Sequence, residues 1–455
     1  MRQYTRFTSH AGLAAVGQQM QTWRVWSVIE REVHIQQKVV KHTPTDKLKD
    51  LFITLLAGGR GVVEINTRLR DQAGLQRAFG RAVCAEQSTV SDTLNACTPE
   101  NVAQLRQALQ TLVRRHGQAY RHAYDASWQV LDVDLTGLPC GAQAEGAEKG
   151  YFAGQRNRRG RQLGRVLASR YDEIVFEQLY SGSRQLEHSL PELVEGAEAA
   201  LHLTRVRRAR TLVRLDGGGG TDDDLTWLLA REYRVLAKVH NWKRAAKLAA
   251  SVTTWQPDPK EPQREWGWVT QPYPYPRPTQ QLALRWPRAN TPGTWRYAVL
   301  VWNAPQALLF ELAGQAPPPE ADPTALAVAL LAAYDQRGGG VETANKGSKS
   351  GLHLHQRNKK RFVAQQMLGL LVELAYNLLT WVRRLLQRLT PALAHFGPLR
   401  LVRDVLALRG RVRFTDHGQL VGLTLSRDSP WAAALRDAFQ PSLARHGTWL
   451  RLGQI

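Results

Sequence analysis

The stretch Ser127 to Pro139, SWQVLDVDLTGLP, constrains the fold more than any other. Val130, Leu131, Val133 and Leu135 read as a strand, and Asp132 and Asp134 interrupt it. A carboxylate inside an apolar strand is costly unless a partner or a cation meets it. The same theme returns in RARTLVRLDGGGG, where Thr211 to Leu215 is predicted as a strand with Asp216 at its end. The four glycines that follow let something approach Asp216 closely. Thr221 then opens a helix, and Asp222, Asp223 and Asp224 read as ordinary first-turn acids.

Between these acids, GYFAGQRNRRGRQLGRVLASRYDEIVFEQLYSGS is read as two further strands. A basic loop with Arg156, Arg158, Arg159 and Arg161 would join them. LPELVEGAEAALHL is predicted as a helix, and RVLAKV as the strand after the Asp222 helix. Residues 251–315 are rich in Pro and aromatics and read as an antiparallel β insert. Of its tryptophans, Trp255, Trp266, Trp268, Trp286, Trp295 and Trp302, most fill a small core. Trp266 or Trp268 is the choice for a rim position that stacks on an extruded base.

From Pro323 the chain reads as helical. RFVAQQMLGLLVELAYNLLTWVRRLLQRL has too many apolar positions for a surface location and is predicted to be buried. Ahead of it, YDQRGGGVETANKGSK carries Glu342, read as a third carboxylate. A basic tract of Lys346, Lys349, His353, His355, Arg357, Lys359, Lys360 and Arg361 follows, suited to a phosphate backbone. His353 and His355 are two apart, not the i, i+4 pairing of a helical zinc site, and read as surface residues.

An Asp on the first strand, a second ending the fourth and a Glu on a later helix point to an α/β protein. The expected architecture is an RNase H-like catalytic core, a β-rich insert between the second Asp and the Glu, and a helical N-terminal region. The boundaries read as 1–122 for a helical DNA-binding or dimerisation region and 123–250 for the first part of the core. The insert takes 251–315, the helical part of the core with Glu342 takes 316–390, and a C-terminal region takes 391–455. Three carboxylates so placed suit two Mg²⁺ ions, which prefer oxygen ligands, with Mn²⁺ able to substitute. Two such ions flanking a phosphodiester activate the attacking water or 3′-hydroxyl and stabilise the leaving oxygen.

Charge supports a polyanionic partner. Lys and Arg outnumber Asp and Glu by 61 to 39, a formal net charge of +22. Hydrophobic residues at 43% and charged residues at 22% are those of a globular chain, not a disordered one. No apolar run is read as reaching the roughly 18 residues of a membrane span, so nucleic acid is favoured over membrane. Arg forks suit phosphates, and the faces of 14 Trp suit unpaired bases. Cys84, Cys97 and Cys140 are scattered, with neither a disulfide framework nor zinc spacing. That cysteine usage leads to the expectation of a reducing compartment, and MRQYTRFTSHAGL reads as lacking an apolar signal-peptide core. In the N-terminal region, AFGRAVCAEQSTVSDTLNA reads as two short helices around a polar turn, with Ser88 as cap and Thr89, Ser91 and Asp92 polar. That is the look of a helix-turn-helix, and equally of any small helical bundle. Thr98-Pro99-Glu100 is a clearer helix start.

VLDVDLTGLP, RTLVRLDGGGG, YDQRGGGVETANKGSK and KKRFVAQQMLGLLVELAYNLLTW together resemble the DDE transposases of bacterial insertion sequences. The resemblance is to the cut-and-paste group with a Tyr-Arg-Glu-Lys signature, and it covers roughly residues 125–385. It implies that Asp134, Asp216 and Glu342 are the metal ligands, Asp134 being preferred to Asp132 because it stands two before Thr136. It implies that Tyr334, Arg337 and Lys349 hold element-end DNA. It further implies cutting at the element's ends and joining to target DNA by a homodimer, in the cytoplasm of a bacterium at the nucleoid. Arg337 and Glu342 are five apart, where the family has four. A π-bulge, or a helix restarting after the glycines, absorbs the extra residue; an unbroken α-helix displaces Arg337. Two other readings stay open: a nuclease of the same fold that only hydrolyses, and a decayed transposase that only binds DNA.

Overall fold

The computed structural model describes residues 2–152, 154–288, 291 and 293–455. The chain divides into two units. A sheet unit comprises Gln118–Gly137 and Gln162–Ala344, and a helical unit comprises Met1–Gly117, Leu138–Arg161 and Asn345–Ile455. The fold is mixed α/β.

In the sheet unit the first strand, β1 (Gln129–Pro139), is the predicted one with the two acids. It is followed by β2 (Gln155–Ala168) and β3 (Glu173–Ser181). Helix α1 (Leu190–Leu201) leads to β4 (Thr211–Leu215), α2 (Asp222–Ala230) and β5 (Arg234–Lys238). Pairing runs in the order β3, β2, β1, β4, β5. Strand β4 is parallel to both β1 and β5. Only four residues join β2 to β3, so those paired strands are antiparallel, since a parallel pair needs a long crossover. Strand β4 is buried along its whole length, as an interior parallel strand must be. Thr221 caps α2 by accepting from the Asp224 amide.

The stretch expected as a β insert holds β6 (Gln256–Pro257), β7 (Glu265–Trp268), β8 (Gln280–Pro287) and β9 (Trp295–Trp302). These strands pair antiparallel in the order β9, β8, β7, β6. They do not stand apart: β9 pairs with β5, Leu300 opposite Lys238, and extends the same sheet. Helix α3 (Gln306–Ala313) and helix α4 (Pro323–Arg337) follow. Asp322 caps α4, accepting from Thr324 and Ala325 amides, with Pro323 at its first position. One apolar cluster joins them: Ala327, Leu330, Leu331 and Ala333 of α4 meet Val130, Leu212, Leu236, Leu300 and Trp302 of the sheet. That packing fixes α4 over the strands that carry the acids.

In the helical unit, the chain opens with a strand, Gln3–Thr8, not a helix. It pairs with Gly410–Thr415, which pairs with Leu420–Ser426, which in turn pairs in parallel with Trp449–Gly453. Helix Phe362–Gln387 is the buried helix expected. Contrary to the sequence reading, it is long and apolar enough to cross a membrane, but 83% of its apolar window is buried. It packs against Pro99–His116, Gln87–Ala96 and Pro44–Leu56. Thr98 caps Pro99–His116 with a full capping box to Asn101. Ser88 is not a cap, because Gln87–Ala96 starts after Glu86 and has no side-chain cap. The turn before that helix is held by Arg81, which forks onto buried Asp50.

The basic stretch read as a loop is a strand. Glu148–Phe152 pairs antiparallel with the first half of β2, Gly150 opposite Arg158. Arg161, grouped with that loop by sequence, is buried and donates to the carbonyls of Glu145, Lys359 and Lys360.

Candidate active site

Side chains two apart on a strand share a face, so Val130, Asp132 and Asp134 point the same way from β1. So do Leu212, Arg214 and Asp216 from β4. The parallel register sets Asp132 opposite Arg214; carried on by two residues, it sets Asp134 opposite Asp216. Asp134, midway along β1, and Asp216, just past the end of β4, are thus brought side by side.

Asp132 and Asp134 differ in their partners. Asp132 is fully buried, and Arg214 forks onto it at 2.6 and 2.8 Å. Ser169 also donates to Asp132, and Arg214 donates to the Ala333 carbonyl of α4 at 2.8 Å. Asp132 therefore ties β1, β4 and α4 together. Gly340 is required beside it: a Cβ there would stand 2.6 Å from the Asp132 carboxylate.

Asp134 instead faces Arg337, at the end of α4. Arg337 Nη1 lies 3.9 Å from Asp134, and Nη2 lies 3.6 Å from Asp216 and 3.7 Å from Glu342. Three carboxylates from three elements thus surround one guanidinium. The extra residue between Arg337 and Glu342 is absorbed by a π-helical turn, Gly338–Glu342, which sets both on one side. Tyr334, one turn back on α4, packs against the apolar cluster and lies near Arg337. Asp216 accepts from the Gly218 amide at 2.9 Å. Gly220, in the same loop, has no room for a side chain, since a Cβ would stand 1.8 Å from the Lys238 carbonyl oxygen.

Burial is graded across the site: the side chains are 14% exposed at Asp134, 39% at Asp216 and 61% at Glu342. Burial pushes the Asp134 carboxyl up to about 7; Arg337 opposes this, while Asp216 and Glu342 add to it. Burial alone would lower Arg337, but Asp134 and Asp216 outweigh it and its pKa is raised. Burial pushes the Tyr334 phenol up to about 12.

The donor set is all oxygen, three carboxylates against one guanidinium, and it fits a hard divalent cation in type and in charge. Arg337 Nη1 is buried without a hydrogen-bond partner, so the guanidinium neutralises the acids without closing on them. Among the described residues no three His, Cys, Asp or Glu groups stand close enough together to enclose an ion as they are; Arg337 holds the centre.

The other expected site residues lie as follows. Trp266 is corrected: it is 2% exposed and part of the apolar cluster, with no face for a base. Trp268 is partly buried, donates to the Pro323 carbonyl at 3.3 Å and lines a cavity of about 400 Å³. Sequence reasoning missed a neighbouring arrangement in which Arg285 lies 4.3 Å from the ring centres of both Trp255 and Trp295. In the helical unit, Arg156, Arg158 and Arg159 are exposed on a strand. Lys346 is exposed in the short helix Thr343–Lys346, and Lys349 is half-buried in the π-helical turn Gly347–Gly351. Lys359 is half-buried, while Lys360 and Arg361 are exposed.

The sequence matches no protein-family model, and no curated protein matches it. Among solved structures the chain is similar to a piggyBac transposase synaptic complex with hairpin DNA. The identity is 11% and the TM-score 0.45, over 95% of this chain and 82% of that one.

Proposed function

We propose that this chain is a DDE-type transposase of a bacterial insertion sequence, with an RNase H-like core. The observation that carries this is the meeting of Asp134, Asp216 and Glu342 around Arg337. The strand order supports it as well: three consecutive strands, then β4 parallel beside the first and β5 parallel beside β4, with one acid midway along β1 and the other just past the end of β4.

Asp134, Asp216 and Glu342 would hold two Mg²⁺ ions, with Mn²⁺ as a substitute. Such ions, when bound, activate a water or a 3′-hydroxyl and stabilise the leaving oxygen. Asp134 must give up its proton to serve as a ligand. Arg337 offers its fork to a phosphate, with Tyr334 beside it. Lys346, Lys349, Lys359, Lys360, Arg361, Arg156, Arg158 and Arg159 neutralise backbone phosphates of double-stranded DNA, and Trp268 is the remaining candidate for stacking on a displaced base. Two element ends must be processed together, so the working form is a homodimer, in the bacterial cytoplasm at the nucleoid.

The test uses pre-cut element ends, Mg²⁺ and a target plasmid. Joining of the 3′-hydroxyls to the target is expected. Cleavage without joining would leave a hydrolytic nuclease in place of a transposase.

A further inference from the structure

Arg357 lies in the helical unit, between the 3₁₀ turn Leu354–Gln356 and helix Phe362–Gln387. Its side chain is buried, the residue being 3% exposed, and Nε, Nη1 and Nη2 are all buried without an acceptor. A guanidinium has five donors in a fixed fork. Burial lowers its pKa to about 10, so it still carries its charge at neutral pH. A buried charge without a partner is among the costliest arrangements a fold can hold.

The acid that Arg357 senses is engaged elsewhere. Glu64 accepts from the amides of Arg60 and Gly61 and pairs with Arg68. Two further titratable neighbours, His353 and Lys359, bring no carboxylate. His353 has Nδ1 buried and unpartnered, and its φ of 57° is left-handed, which is uncommon for a residue with a Cβ. Burial, Arg357 and Arg60 hold the His353 imidazole low. Burial and Arg357 likewise lower the Lys359 ammonium. The Arg357 fork meets no acceptor among the described residues, and a group with two oxygens to match the fork would complete it.

We propose that Arg357, with His353 and Lys359, forms a seat for a phosphate group supplied by the DNA backbone. The source of that phosphate rests on the DNA reading above; the seat itself does not. The guanidinium makes no hydrogen bond that a phosphate would have to displace.

The test compares full-length wild type with Arg357→Met and Arg357→Lys. Arg357→Met removes an unpaired buried charge and keeps the apolar stem, so its Tm is expected to be unchanged or higher. Its DNA affinity is expected to fall roughly tenfold, with the salt slope of binding shallower by about one. Arg357→Lys should keep part of that slope. Millimolar inorganic phosphate at constant ionic strength should raise the Tm of wild type and not of Arg357→Met. If phosphate does so while the DNA slope is unchanged, the backbone is not the source and that half of the proposal is overturned. If neither the slope nor the phosphate response depends on Arg357, the seat is overturned. Absence of DNA binding by wild type would sink the DNA reading, while the phosphate response would still report on the seat.

Discussion

Asp132 and Asp134 stand two apart on one strand and meet opposite environments. Asp132 is closed by Arg214 and Ser169. Asp132→Ala would leave the Arg214 charge buried without its carboxylate, at a cost of about 3–5 kcal/mol, read as a lower denaturation midpoint. Asp134 is held near 7, against an ordinary 3.8. The folded chain therefore keeps a proton that the unfolded chain has lost between those values. In EDTA, stability is expected to fall as pH rises from about 4 to about 7, by up to about 1.4 kcal/mol per unit, and to level off above. Asp134→Asn should flatten that dependence. A slope unchanged in the variant would mean that another group titrates. The sequence marked both acids as needing partners but did not say which had one. Both lie on the same strand face, and Arg214, 82 residues away, carries no local sign of its pairing.

At the scale of elements, the local signals were legible. Strand β1, strand β4 with Asp216 at its end, and the caps at Thr98 and Thr221 all follow from short-range pattern. What escaped was pairing between distant stretches. Strand Gln3–Thr8 is mostly exposed, and its partner begins at Gly410. Strands β6 to β9 have the antiparallel character expected, yet the β5–β9 pairing that joins them to the central sheet leaves no mark in either strand. Pattern alone does not say which face of β7 is covered, so it leaves Trp266 and Trp268 as alternatives, and Trp266 lies in the core. Of the two arrangements that keep Arg337 in register across the extra residue, the chain adopts the π-helical turn, at Gly338–Glu342. A Cβ at Gly339 would meet nothing within 4 Å, so no packing depends on it. Deleting Gly339 should convert the turn to α-helix, keep Arg337 beside Glu342 and preserve folding and DNA cleavage. Inserting a residue at the same place should abolish cleavage, and equal activity in both variants would contradict the register account. Gly340→Ala, forced against Asp132, should cost about 1–3 kcal/mol in denaturant unfolding.

The whole molecule carries +22, and cationic side chains line the tract after Glu342. Binding to duplex DNA should weaken steeply with salt, with a log–log slope of roughly −4 or steeper if about five phosphates are contacted. A slope near zero in a filter-binding titration would remove the backbone contacts from the account. The central claim, that three carboxylates serve a metal-dependent cut, has a more direct test. A labelled duplex carrying the inverted repeats that flank the gene is incubated with Mg²⁺ and either wild type or Asp216→Ala. Wild type is expected to cut at the repeat ends only when Mg²⁺ is present, and Asp216→Ala to be slower by at least about 100-fold while still binding the duplex. Cutting by Asp216→Ala at the wild-type rate would contradict it.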